Sequence, residues 1–244
     1  MAHLTYPLYL FFGILPSIVW LLYYLRKDVH PEPKRMVLMI FFCGMLSAAF
    51  AVAMEIGFLK ILSEGFLENN LTSKLLISGL NVFIGVALIE EVSKYLVVRI
   101  MVVKSPEFDE AIDTMIYMII SALGFAALEN ILVLAGLGPA FMLAETVSLS
   151  IFRFLTATFL HTLCSAIIGY FLAISFFETK NRVKLLFLGI VISTCLHGLY
   201  NFYIIKNEGN CNFQILFSVL VSLAIFVTLA MKKLHKMKNV CKVN

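Results

Sequence analysis

The pentapeptide Glu90-Glu91-Val92-Ser93-Lys94 places three ionisable side chains inside an apolar run from about Leu75 to Val98. Each such group costs roughly 2.5–3.5 kcal/mol at the centre of a membrane-spanning helix, so intramembrane charge marks function by default. On a helix Glu90 and Lys94 are four apart and share a face, and Glu91 is three from Lys94. Glu90 and Glu91 diverge by about 100° around the axis. Lys94 can therefore hold one carboxylate while the other faces an interior, an arrangement suited to a general base. An ion pair that merely locks helix packing is the bland alternative, favoured in a soluble helix and disfavoured at bilayer depth.

Four features further along supply companions. Gly124-Phe125-Ala126-Ala127-Leu128-Glu129-Asn130 sets a carboxylate beside an amide, next to small residues that allow close helix approach. Arg153 and His161 are eight apart, hence nearly on one face, and His197 and Asn201 share a face at four apart. A lone intramembrane histidine is commonly a packed, hydrogen-bonded residue. Two of them on different spans, alongside two acidic spans, form a ligand set for Zn2+ made of His161, His197 and Glu129, with a glutamate of the 90–91 pair left as base. The same groups could act without metal, a glutamate activating water and His or Asn holding the oxyanion. Residue types alone leave both routes open. His3, His30 and His235 lie in termini or loops and read as solvated.

The elements that must bring these groups together are apolar stretches of about 20 residues, the length that crosses a bilayer. Seven fit: about 6–25, 36–56, 75–98, 112–136, 149–177, 184–205 and 213–231. The expected fold is all-α, a polytopic membrane helix bundle forming a single integral-membrane domain over residues 1–244, with residues 139–150 as an interfacial or re-entrant lead into the fifth span. Two prolines make Asp28 to Pro33 a stiff, non-helical connector. The first span has no basic segment before it and Arg26-Lys27 after it, the reverse of a cleaved signal. With the N-terminus outside and the C-terminus cytoplasmic, fourteen basic residues fall on the cytoplasmic side and three (Lys60, Lys74, Lys206) outside, with Lys94 and Arg153 within spans. That asymmetry fits the positive-inside rule, and the basic tail would rest on anionic lipid. Counting at 1.5 Å per residue from the outer ends puts Glu90 ~22 Å deep, His161 ~18, His197 ~12 and Glu129 ~10. Helix tilt closes part of that spread; otherwise Glu129 supports the site from nearer the outer surface.

Composition agrees with this picture. The chain is 61% hydrophobic and only 14% charged, against about 25% charged in soluble domains, and its mean hydropathy is +0.96. The net charge of +4 sits in short loops and the tail, without the basic–aromatic interleaving of a nucleic-acid binder. Five cysteines form no CxxC pair and read as reduced hydrophobes rather than a disulfide framework.

At these residues the chain resembles the PrsW family of bacterial intramembrane proteases, within the broader group that includes the type II CAAX prenyl endopeptidases. The matching pieces are Glu90-Glu91-x-x-Lys94, the run from Asp113 to Asn130, the piece from Arg153 to Gly169 containing His161-Thr162-Leu163, and His197-Gly198-Leu199-Tyr200-Asn201. The segment from Asp28 to Arg35 resembles the family's first cytoplasmic loop, and the pieces cover nearly the whole chain in order. The resemblance implies a multi-pass peptidase of the bacterial cytoplasmic membrane, of metallo- or glutamate type. Its substrate would be a single-pass, membrane-anchored anti-sigma factor, cut at site 1 under envelope stress. It implies Glu90 and Glu91 as the catalytic acidic pair, His161 and His197 as activating or ligand imidazoles, and Glu129, Asn130 and Asn201 in support; Lys94 and Arg153 are counted as further supporting residues. His-Glu-x-x-His, Gly-x-Gly-Asp and Gly-x-Ser-x-Gly are all absent, which leaves zincin-like, aspartyl and rhomboid-like routes unsupported. The competing reading from another class is a proton-coupled transporter or channel built on the same buried groups.

Overall fold

A computed structural model describes residues 2–27, 30–65, 71–138, 143–207 and 212–237. Helices run over Ala2–Leu25 (α1), Lys34–Gly65 (α2), Leu71–Leu80 (α3), Ile89–Met101 (α4), Asp113–Gly136 (α5), Leu143–Leu155 (α6), Ala157–Phe177 (α7), Arg182–Lys206 (α8) and Phe213–Leu234 (α9). They form seven stretches long and apolar enough to cross a membrane, α3–α4 and α6–α7 each counting as one. The all-α membrane bundle expected from the sequence is what the chain forms. The second span is longer than its apolar core suggested, 32 residues or about 48 Å, so α2 must tilt in, or project from, a hydrocarbon layer of about 30 Å.

The core is α5. From Asp113 to Ala127 every one of its residues is buried, and α1, α2, α4 and α7 pack around it. Around this axis the usual distribution of polarity is inverted. Phe42, Leu46, Ile61, Ile100, Phe187 and Phe217 face outward, as a lipid-solvated surface requires. Glu90, Glu91, Lys94, His161 and His197 are buried inside.

Glycines set the closest approach. A Cβ on Gly44 would strike the carbonyl oxygen of Ser121, and one on Gly124 the carbonyl oxygen of Phe41, so α2 and α5 touch backbone to backbone at two reciprocal points. The hydroxyl of Thr114 on α5 donates to the Gly169 carbonyl of α7 at 2.9 Å. Gly124→Ala should therefore push α2 off α5 and destabilise the protein by about 1–3 kcal/mol. Gly57→Ala, where an added Cβ meets nothing within 4 Å, should be neutral or mildly stabilising. Paired melting curves in detergent test this; equal melting temperatures for the two variants would refute the close-packing account.

Two irregularities position the chemistry. Between α3 and α4 the third span winds as a π-helix over Asn81–Leu88, the wide form that recurs at functional sites. It ends one residue before Ile89-Glu90-Glu91, so its extra turn width sets the direction of both carboxylates. The fifth span breaks at Thr156 (φ −120°, ψ −84°), which separates Arg153 on α6 from His161 on α7. Residues 143–150 of the expected lead-in belong to α6 and pack against α1 and α7; 139–142 lie outside the described residues, as do Asp28 and Val29 of the expected connector. Cys43, Cys164 and Cys195 are free thiols; Cys211 and Cys241 are outside the described residues.

Candidate active site

The site is assembled from one side of α4. Lys94 is fully buried, and its ammonium donates to Glu91 Oε1 at 2.8 Å and lies 3.3 Å from Glu90 Oε2. The i, i+3 and i, i+4 spacing read from the sequence thus becomes one cation bridging both carboxylates. The ammonium also stands 4.4 Å from the centre of the Phe125 ring of α5. Ser121 of α5 donates to the Lys94 carbonyl at 3.1 Å, fastening α4 to the core.

Two imidazoles complete the cluster, with ring centres 4.8 Å apart and planes nearly perpendicular. Lys94 Nζ lies 2.7 Å from His161 Nδ1. An ammonium can only donate, so Nδ1 is the acceptor and His161 carries its proton on Nε2. That Nε2 donates to Glu129 Oε2 at 2.7 Å. On α8, His197 Nδ1 donates to Glu91 Oε1 at 2.9 Å, leaving Nε2 as its lone-pair nitrogen, 3.8 Å from Glu90 Oε2. Each histidine therefore rests one nitrogen on a carboxylate and turns the other toward Glu90. Carboxylates in this outer position fix the tautomer and orientation of metal-binding histidines.

The three carboxylates are not equivalent. Glu91 spends Oε1 on Lys94 and His197 and accepts from Ser165 at Oε2, at 3.2 Å. Glu129 spends Oε2 on His161 and Oε1 on Arg153 Nη2, 2.9 Å away. Glu90 alone keeps an oxygen, Oε1, that makes no hydrogen bond with another described residue; its Oε2, which accepts from Lys94, is the oxygen that faces both imidazoles, at 3.7 and 3.8 Å. Glu90, His161 and His197 each offer an atom within 4.8 Å of the others, a group that could hold a metal ion. This group differs in its carboxylate from the ligand set expected from the sequence: Glu129 lies on the His161 nitrogen turned away from the centre, and Glu90 lies against both imidazoles.

Arg153 and Asn130 brace this arrangement from α6 and α5. Arg153 Nε donates to Asn130 Oδ1 at 2.5 Å, and Asn130 Nδ2 donates to Thr158 Oγ1 at 3.0 Å and to the Gly13 carbonyl at 3.3 Å. The break at Thr156 lets Arg153 and His161 reach Glu129 together. Asn201 follows His197 by one turn, half-buried, and makes no hydrogen bond among the described residues. Sequence reasoning passed over Ser165 and Thr158, which share the His161 face at four and three residues' spacing. It also passed over Glu55 on α2, half-buried and within electrostatic reach of Glu90, Glu129 and Lys94. A carboxylate near the end of a long apolar run is the signal that would have found it.

Residues 32–231 match a family described as PrsW family intramembrane metalloprotease. The chain is 34% identical to Protease PrsW of Bacillus subtilis over 192 residues, covering 78% of this chain and 79% of that protein. It is 31% identical to Protease PrsW of Geobacillus kaustophilus over 199 residues, 80% of this chain and 79% of the relative. For Protease PrsW of Clostridioides difficile the figures are 27% over 194 residues, 78% and 76%. No solved structure matches the chain.

Proposed function

The chain belongs to the PrsW family of intramembrane metalloproteases, and we propose that it hydrolyses a peptide bond in a single-pass membrane protein at the centre of the Glu90, His161 and His197 cluster. The observation that carries this reading is the asymmetry of the carboxylates. Glu91 and Glu129 are saturated by their hydrogen bonds, while Glu90 faces the imidazoles with one oxygen uncommitted.

The donor set fits a divalent cation. Glu90, His161 Nδ1 and His197 Nε2 are the groups that would hold Zn2+, whose chemistry there is Lewis-acid polarisation of a carbonyl and a more acidic bound water. Lys94 donates to that same Nδ1 lone pair in this structure, so it must release His161 for the imidazole to act as a ligand. Glu90 would offer a metal only Oε2; its other oxygen, Oε1, takes a proton from water as the water oxygen attacks the scissile carbonyl carbon. The Lys94 ammonium offsets the charge that develops on the carbonyl oxygen. Glu90 then returns the proton to the departing amine as the C–N bond breaks. Glu91 and Glu129 hold His197 and His161 in place throughout, and Ser165, Arg153 and Asn130 hold those carboxylates.

The family resemblance supports a membrane-anchored anti-sigma factor as the substrate, cut at site 1. The charge asymmetry supports an outside N-terminus and a cytoplasmic C-terminus, on which the outer or inner approach of that substrate depends. The test is chelator-free purification followed by metal analysis and a cleavage assay in proteoliposomes with a tagged single-pass substrate. About one zinc per chain is expected, lost together with cleavage in the His161→Ala/His197→Ala double variant. Proton flux without any proteolysis would replace this reading with a transporter.

A further inference from the structure

A second built feature lies away from the active site, between the C-terminal ends of α1 and α9. Both helices pack on α7 and scarcely touch one another, which leaves a slot of about 340 Å³ between them. Its floor is Phe159 of α7 and its apolar walls include Trp20, Tyr24 and Met231. At its mouth stand Lys27, Lys232 and His235, all exposed. From the sequence His235 reads as merely solvated; the fold places it beside two lysines on a shared rim.

Three observations say what the slot takes. First, its size excludes a transmembrane helix: even three turns of helix with side chains occupy on the order of 1,000 Å³. A lipid acyl chain fits. Second, the rim is cationic, and no acidic group among the described residues pairs with Lys27 or Lys232. His235 Nδ1 is committed to the Met231 carbonyl at 2.9 Å, and its other nitrogen makes no hydrogen bond among the described residues. Third, Trp20 is not placed as an interfacial anchor normally is, with its N–H toward the headgroups. Its Nε1 donates inward to the Phe154 carbonyl at 3.0 Å, and its ring stacks on Phe159 at 4.3 Å. Trp20 therefore forms a rigid wall rather than a polar tether.

We propose that this slot is a binding site for one anionic glycerophospholipid, its acyl chain lying against Trp20 and Phe159 and its phosphate held by Lys27, Lys232 and His235. The site stands independently of the proteolytic reading. It shares two elements with the active site: α7, on which Phe159 lies two residues before His161, and α1, whose Gly13 carbonyl accepts from Asn130.

Trp20 is the only tryptophan in the chain, so its fluorescence reports the slot directly. The full chain would be reconstituted in phosphatidylcholine vesicles containing increasing mole fractions of phosphatidylglycerol brominated on one acyl chain. A matched series would carry the bromine on phosphatidylcholine in a background of unbrominated phosphatidylcholine. Brominated phosphatidylglycerol should reach half-maximal quenching at a mole fraction roughly tenfold lower, given two lysines at the headgroup. The Lys27→Gln/Lys232→Gln variant should quench equally with both lipids. These lysines are exposed and lie outside the helices that carry the cluster's side chains, so folding and cleavage should be unchanged, which circular dichroism and the cleavage assay verify. Equal quenching by both lipids in the unsubstituted protein would reduce the slot to ordinary lipid-exposed surface and overturn the proposal. Absence of quenching by either would show that no acyl chain enters, and would overturn it as well.

Discussion

Glu90→Gln should yield a folded, inserted protein whose cleavage of a membrane substrate falls by about 10²- to 10⁴-fold, the usual cost of removing a general base. The amide keeps the volume and one acceptor oxygen, so the contact with Lys94, already long at 3.3 Å, is barely altered. What disappears is the uncommitted basic oxygen, Oε1. Glu91→Gln should behave differently. Glu91 is 0% exposed and serves Lys94, His197 and Ser165 at once. A glutamine there turns one acceptor into a donor against Ser165 or His197, so activity and melting temperature should fall together. Initial rates in proteoliposomes, with melting curves on the same preparations, separate the two cases. A Glu90→Gln protein that cleaves at the normal rate, beside an inactive but fully stable Glu91→Gln protein, would exchange the roles assigned here.

The residues of this site are legible in the sequence because membrane solvation makes them conspicuous. Each breaks an apolar run, and helical spacing alone couples Lys94 to both glutamates. Their arrangement is less legible. Depth counting separates Glu90 from Glu129 by ~12 Å, yet the structure sets both against His161, Glu129 on Nε2 at 2.7 Å and Glu90 3.7 Å from Nδ1. Three physical facts close the gap. The third span winds as a π-helix over the eight residues before Ile89, so it advances less per residue than an α-helix. The fifth span is broken at Thr156, with neither proline nor glycine to announce it. An imidazole also bridges two partners on opposite edges of its ring. Which carboxylate faces inward depends on those features and on hydrogen-bond saturation, and neither is written in residue types.

Lys94→Met should destabilise the protein by about 3–5 kcal/mol, the cost of breaking a buried ion pair by removing one partner. Lys94 is completely buried between Glu90, Glu91 and His161, and no other cation among the described residues contacts Glu90 or Glu91 within ion-pair distance except the two histidines. Methionine fills the space and leaves two carboxylates facing each other in a medium of low dielectric. Adding Glu91→Gln to the same chain should recover much of the loss, because the second change removes the charge the first exposed; a double-mutant cycle from detergent melting curves measures the coupling. Unchanged stability for Lys94→Met would mean that the ammonium contributes nothing to the fold. The same substitution separates the structural role from the ligand role. It frees Nδ1 of His161, the nitrogen a metal ion would need. Melting in excess zinc should therefore narrow the gap between Lys94→Met and the unsubstituted protein, since a dication bound by Glu90, His161 and His197 restores the positive charge that Lys94 supplies. Melting in a chelator should widen it. A gap that zinc leaves untouched would place any metal away from these three residues and leave Glu90 to activate water unaided.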